Sequence, residues 1–463
     1  MVGDKHDALD VLDVRSPLDG RLLDRIPVPG PVDCIRAVAT ARQAQRAWAR
    51  TAPVRRGELL HAAADMLRER AEGLATCHHW ETGRPVDDAM AGVRAGADTL
   101  RQYAELGPVH RGRSLLGGWS ATDLAVPEPR GVVLALTPWN DPAAIACGLL
   151  GAALVTGNTV VHKPSERAPA TGRMLTELIA EHLPAGVLTC VLGNGATGGQ
   201  LAENPAVDVI AHVGATTTGR AVAAVAARTG AKVILENGGN DALIVDDDVD
   251  PHWAAEQAAL GAFAGSGQVC TSVERIFVHR RIAADFLTAL TAAAVRWTDR
   301  LGPLVDDDLR ARVHAHVEQA RDAGATVSTG GTIPDGPGCY YPATVLRDCR
   351  PGMLIMTEET FGPVAPVCVV AGFDEALCAA ADDDHGLAAT VLTSSMSHAQ
   401  RAWRELPVGT VKINAVFGGA PGGAAQPRRA SGDGYGYGPE LLDELTVRKV
   451  VHIAPPSPED DLR

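Results

Sequence analysis

The chain has 463 residues, more than one ordinary hydrophobic core holds, with 46% apolar and 21% charged side chains. That balance describes a soluble globular protein of two or three domains and excludes a disordered or fibrous one. A formal charge of -14 disfavours a phosphate backbone as partner, so nucleic-acid binding is excluded, and no window approaches the roughly 18 uninterrupted apolar residues of a membrane span.

Taken in chain order, the opening MVGDKHDALDVLD lacks the basic-then-apolar layout of a signal peptide, which points to the cytoplasm. Residues 33 to 50 and 55 to 77 carry Ala, Leu and Arg at helical spacing and predict two amphipathic helices. From 131 short β-branched runs (GVVLALTP, NTVVHKPS, GVLTCVLG, VDVIAHVG, KVILENGG) alternate with helical ones, the pattern of a βαβ array with a parallel sheet. A second mixed segment runs from about 250 to 415. The stretch 417 to 438, rich in Gly, Ala and Pro, predicts a long loop, followed by a short helical piece and the strand-like LTVRKVVHI. No repeat of solenoid period occurs.

Nine cysteines form no C-x-x-C pair, so neither a disulfide framework nor a zinc site is expected. An arbitrary one of them is a small buried hydrophobe. The acidic runs at 246 to 250, 306 to 308 and 382 to 385 lack the glycine and terminal glutamate of a calcium loop, and no metal is expected. Gly193, Gly195 and Gly198 satisfy G-x-G-x-x-G, but 49 glycines make chance matches common and no acid follows at the distance of a ribose partner.

Stronger signals are TPWNDP (137 to 142), HKPSE (162 to 166), LENGG (235 to 239), GQVC (267 to 270) and EETFGP (358 to 363). Each places a polar residue at a strand end or in a loop, where sites on parallel sheets form. Asn140 offers an amide for an oxyanion, Glu236 a base, and Lys163 and Glu166 partners for ribose hydroxyls. Each also has a plain structural reading, as turn, solvated loop or helix cap. Beside the glycine-flanked Cys270 they suggest covalent catalysis.

With these motifs in this order, the chain resembles the aldehyde dehydrogenase superfamily from about residue 15 to residue 453. The resemblance implies an α/β fold with a Rossmann-like NAD-binding domain (1–108 and 129–238), an α/β catalytic domain (239–438) and a small β oligomerisation extension (109–128 and 439–463). It implies a homodimer or homotetramer. By the same resemblance Cys270 attacks an aldehyde to give a thiohemiacetal, and Asn140 and the Cys270 N–H hold the oxyanion. Hydride then passes to NAD, and Glu236 activates the water that hydrolyses the thioester.

The cofactor residues implied are Thr137, Pro138, Trp139, Lys163, Ser165, Glu166, Gly195, Gly214, Ala215, Thr218, Asn237, Glu359 and Phe361. Glu166 favours a free 2′-hydroxyl, hence NAD over NADP, a preference that Lys163 partly offsets. Gly214 and Ala215 open the helix facing the pyrophosphate, with Gly195 near the adenosine. Four positions depart from the family at the substrate entrance: Asp141 replaces an aromatic residue, and Ala264, Gly419 and Ala425 are small where relatives are often aromatic. They predict a wider entrance for a bulky or polar aldehyde, unless Arg428 or Arg429 folds inward. Two rivals stand beside this reading. In a CoA-acylating relative thiol resolves the thioester, and such relatives usually lack the carboxylate found here at Glu236. A non-catalytic scaffold or binding protein would keep the fold without the chemistry.

Overall fold

All six residues of Val132–Thr137 are buried, as the central strand of a sheet covered on both faces requires. In the computed structural model, which describes residues 11–419 and 423–456, this strand pairs in parallel with Thr159–Pro164 on one side and Val209–Val213 on the other. Leu188–Cys190 and Lys232–Glu236 extend the sheet, and Gly432–Asp433 closes one edge antiparallel to Lys232–Glu236. A second, seven-stranded sheet contains Asp241–Val245, Val273–His279, Val364–Val370 and Ala388–Leu392 at its centre. Residues 1–10 of the opening stretch, 420–422 of the Gly-rich stretch and 457–463 lie outside the described residues.

The βαβ alternation expected from 131 onward matches the structure element for element through Asp241–Val245. Near the N-terminus one expected helix is corrected and one unanticipated helix is found. The helix read over 55 to 77 is two helices, Pro53–Glu69 and Ala71–Thr82, separated at Arg70. A further helix, Val86–Val109, carries Gly92, Gly96 and Gly107, residues of low helix propensity that obscure it in the sequence. Their value is in packing. A Cβ on Gly96 would come within 2.8 Å of the Ala143 carbonyl, and one on Gly107 would overlap Val155. The glycines therefore let this helix lie against Pro142–Val155.

Pro142–Val155 is buried at nearly every position and packs against the strands Val132–Thr137 and Thr159–Pro164. Proline at its first position suits a helix start, where the missing N–H has no partner to lose. Leu150 and Leu154 are fully buried there, and burying each side chain contributes about 1.5–3 kcal/mol. Asn140 lies in the turn between the strand Val132–Thr137 and this helix.

The third sheet has three antiparallel strands, Arg113–Leu115, Thr122–Pro129 and Thr446–Ile453. Leu116, Trp119, Val450 and Ile453 are exposed on or beside it. Among the described residues no helix is long and apolar enough to cross a membrane.

Candidate active site

Cys270 follows a short turn in which Gly265, Ser266 and Gly267 all take positive φ (60°, 59° and 70°). A Cβ on Gly267 would overlap the Gly362 carbonyl, so glycine there permits the two loops to touch. The turn delivers Cys270 to a cavity of about 140 Å³ that is also lined by Asn140, Glu236, Glu359 and Phe361. Burial pushes the Cys270 thiol up to about 12, and the nearby Asp241, Glu236 and Glu359 carboxylates push in the same direction. The thiol is therefore neutral in the protein as it stands and needs a base or a bound positive charge to react.

The Asn140 amide is held rather than free to rotate. Its Nδ2 donates to the Gln268 carbonyl at 3.0 Å, which uses one of its two hydrogens. Gln268 is itself fixed, its Oε1 accepting the Val305 N–H at 2.9 Å. The Asn140 carbonyl accepts from Arg84 at 2.7 Å, and the Trp139 carbonyl lies 3.1 Å from His78 Nε2. Glu236 ends its strand, and its Oε1 accepts the Gly436 N–H at 3.1 Å. Burial raises its carboxyl to about 7, against the opposing pull of that N–H. A carboxyl titrating there is matched to general-base work at neutral pH.

A second cavity, of about 310 Å³, shares Pro138, Trp139, Arg167, Gly214 and Ala215 with the first, so the two form one groove. Thr137, Lys163, Ser165, Glu166, Gly195 and Thr218 line its outer part. Lys163 Nζ donates to Glu166 Oε2 at 3.2 Å and to the Pro164 carbonyl at 3.0 Å. Burial opposes the charge on Glu166, yet Lys163 holds its carboxylate below the usual range; burial also lowers Lys163. Ala215 caps the helix Thr216–Thr229, whose first N–H groups open toward the groove and favour an anion. Nothing lies within 4 Å of the position a Cβ would take on Gly195 or Gly199. An elongated groove with a carboxylate at one end, a helix N-terminus midway and a thiol at the other fits a dinucleotide.

The model of the aldehyde dehydrogenase family matches residues 4–451. The chain belongs to the aldehyde dehydrogenase family. It is 35% identical over 455 residues to a betaine aldehyde dehydrogenase of Cereibacter sphaeroides, covering 94% of this chain and 92% of the relative. Its structure resembles the NAD-dependent aldehyde dehydrogenase of Sinorhizobium meliloti (TM-score 0.93, 32% identity, 97% and 93% of the two chains). It is equally similar to the lactaldehyde dehydrogenase of Escherichia coli (TM-score 0.93, 32% identity, 98% and 97%). The resemblance read from the motifs and the α/β fold it implied are both confirmed.

Within this aldehyde dehydrogenase, Asn237 lines the inner cavity but is tied elsewhere, its Nδ2 donating to the Ala430 carbonyl at 3.0 Å. The four entrance residues are not brought into either cavity wall. Asp141 turns its carboxylate to Arg84 at 3.5 Å and packs against Gly92 of the helix Val86–Val109. Burial raises its carboxyl, and Arg84 works against that rise. Ala264 ends the helix Pro251–Phe263, Gly419 is exposed and Ala425 is half-buried. Arg429 does not fill the space: its Nη1 donates to the Ala381 carbonyl at 3.2 Å.

Several lining residues have no counterpart in the motif reading, among them Ile145, Arg167 and Arg312. Ile145 faces Cys270 from the first turns of Pro142–Val155. Arg167 lines both cavities, with its guanidinium 5.8 Å from the Trp139 ring and paired with Asp306. Its adjacency to Glu166 is a usable signal. Arg312 comes from the helix Asp307–Asp322, whose sequence is otherwise that of a solvated surface helix, and nothing there marks it.

Proposed function

We propose that this aldehyde dehydrogenase oxidises an aldehyde to the carboxylic acid through a thioester on Cys270 that water hydrolyses, with NAD as the preferred cofactor. The observation that carries the reading is the convergence of Cys270, Asn140 and Glu236 on one cavity that opens into the nucleotide-shaped groove. Lys163 and Glu166 would hold the adenosine ribose, Gly214 and Ala215 the pyrophosphate, and Glu359 and Phe361 the nicotinamide ribose and ring. When bound, the cofactor accepts the hydride that leaves the substrate carbon.

The remaining chemistry belongs to the chain's own residues. Cys270 gives up its thiol proton to solvent, the thiolate Sγ adds to the aldehyde carbon, and the oxygen takes up negative charge. Asn140, fixed by Gln268, offers its second amide hydrogen to that oxygen, beside the Cys270 N–H. A well-placed donor of this kind is worth about 3–4 kcal/mol. Once the carbon is at the thioester level, Glu236 removes a proton from water as it attacks, and the acid departs with Cys270 as leaving group. Glu236 supports hydrolysis, because a carboxyl raised to about 7 can take the proton of an attacking water at neutral pH.

NAD is favoured over NADP by Glu166, which accepts from a 2′-hydroxyl and repels a 2′-phosphate. Lys163 is already engaged by Glu166 and Arg167 by Asp306, which leaves neither cation free to offset that repulsion fully. For the substrate, betaine aldehyde is named for the Cereibacter sphaeroides relative, which supports a polar aldehyde; Ala264, Gly419 and Ala425, outside both cavity walls, add nothing to that choice. With its carboxylate paired to Arg84, Asp141 acts on the entrance through that pair. We take the domain division as 1–108 with 129–238, 239–438 and 109–128 with 439–463; the six-, seven- and three-stranded sheets support it, apart from Gly432–Asp433, which joins the six-stranded sheet. The exposed apolar residues of the three-stranded sheet support pairing into a homodimer or homotetramer in the cytoplasm.

Measuring NADH absorbance with a panel of aldehydes, with and without CoA, tests this reading. Reduction of NAD independent of CoA supports it. NAD binding with no reduction for any aldehyde would support a scaffold instead.

A further inference from the structure

Glu274 stands four residues after Cys270 in the strand Val273–His279 and is 3% exposed. Both of its carboxylate oxygens are engaged. Oε2 accepts the Thr360 N–H at 3.1 Å and Oε1 the Phe361 N–H at 3.0 Å. These are consecutive amides of the segment that presents Glu359 and Phe361 to the cavity containing Cys270. Phe361 has φ 57°, a left-handed conformation that a bulky side chain adopts only under restraint from its surroundings.

The other ties on this segment are weaker or act on its neighbours. Glu359 Oε1 accepts the Gly239 N–H at 3.0 Å, Thr360 Oγ1 lies 3.3 Å from His316 Nδ1, and the Phe361 ring meets Trp139 edge-on at 5.8 Å. Among the described residues only Glu274 holds both the Thr360 and the Phe361 amide. Placing a carboxyl there is unfavourable on its own. Burial, reinforced by Glu359, pushes it up to about 8, and the two amides pull against that rise. Stability alone gives no reason for an acid at this position, since an apolar residue avoids the desolvation. A fixed geometry for Phe361 and Glu359 does give one.

We propose that Glu274 is a positioning residue for the cofactor: its carboxylate clamps the Thr360 and Phe361 amides and so sets the placement of Glu359 and Phe361 against the nicotinamide riboside. This rests on the assignment of that half of the cofactor to Glu359 and Phe361. The clamp acts on cofactor binding and leaves the Cys270, Asn140 and Glu236 arrangement untouched.

The test uses the full chain with Glu274→Ala and Glu274→Gln. Glutamine keeps one acceptor oxygen and turns an NH2 toward the other amide, so it restores half of the clamp. Four quantities are measured: NAD dissociation constant by tryptophan fluorescence, KM for NAD against KM for aldehyde, cofactor-free hydrolysis of p-nitrophenyl acetate by Cys270, and the thermal midpoint. Loss of two hydrogen bonds to buried backbone amides predicts a rise of about tenfold or more in the NAD dissociation constant and KM for Glu274→Ala, with Glu274→Gln between it and the wild type. Aldehyde KM and ester hydrolysis stay within about twofold. Unchanged NAD affinity, or ester hydrolysis falling in parallel with aldehyde oxidation, overturns the proposal. If the alanine variant does not fold, the glutamine variant decides by the same two criteria. A wild-type chain that binds no NAD while still hydrolysing the ester overturns the cofactor assignment itself, and the proposal with it.

Discussion

Glu236 Oε1 accepts a hydrogen bond from the Gly436 backbone N–H at 3.1 Å, across 200 residues of sequence. The bond is short-reaching because Gly436 has no side chain: a Cβ there would overlap Glu236 Cγ. Gly436→Ala should therefore displace the Glu236 carboxylate without removing it. The expected result is a fall in kcat of about tenfold to a hundredfold, the size of a lost general base. Because Cys270 and the cofactor groove are not touched, a rapid first turnover of NADH should survive. Stopped-flow measurement of burst and steady state separates the two.

Activity should rise with pH through about 7, since the ionised form of Glu236 is the base and burial raises its carboxyl to about that value. The sign is fixed by the role. Below that pH the carboxyl is protonated and the thioester persists, whereas above it deacylation reaches a plateau. Glu236→Gln should abolish the rising limb together with turnover. A deacylation rate independent of pH across neutrality would remove Glu236 from the base role.

Asn140 should act on the transition state and not on cofactor binding. Replacing it with alanine removes the held amide, and kcat should fall by about a hundredfold to a thousandfold. Its Nδ2 anchor on the Gln268 carbonyl means that Asn140→Asp will not rescue, because a carboxylate oxygen would face that carbonyl. Calorimetric NAD affinity should be unchanged in both variants.

Glu166 should set cofactor choice. Glu166→Gln keeps an acceptor for the ribose, removes the charge that repels a 2′-phosphate and frees Lys163, its partner at 3.2 Å. The ratio of kcat/KM for NAD over NADP should drop by about tenfold or more, as expected for one close charge interaction worth roughly 1.4 kcal/mol or above. An unchanged ratio would place cofactor discrimination elsewhere in the groove.

The proposed catalytic triplet was legible in the sequence because Asn140, Glu236 and Cys270 each sit where a strand or turn ends, and such positions show as polar residues beside glycine or proline. The same rule exposed Lys163 and Glu166. What supports these residues was hidden for identifiable reasons. Glu274 lies in a strand buried at all seven positions, so no alternation of polar and apolar residues marks which side chain points at the cofactor loop. Gly436 and Arg312 reach the site from segments far along the chain. The helix Val86–Val109 was obscured by the glycines that let it pack, and through Arg84 and Gly92 its vicinity takes up Asp141, which the sequence alone assigned to the substrate entrance.

The most direct test of the chemistry is to trap the covalent intermediate. Glu236→Gln incubated with NAD and an aldehyde should stop after one turnover, with one NADH released per chain. Peptide mass spectrometry should then find the acyl group, of the mass of the aldehyde less one hydrogen, on the peptide that carries Cys270. One NADH with no adduct, or an adduct on another cysteine, would contradict catalysis through a Cys270 thioester.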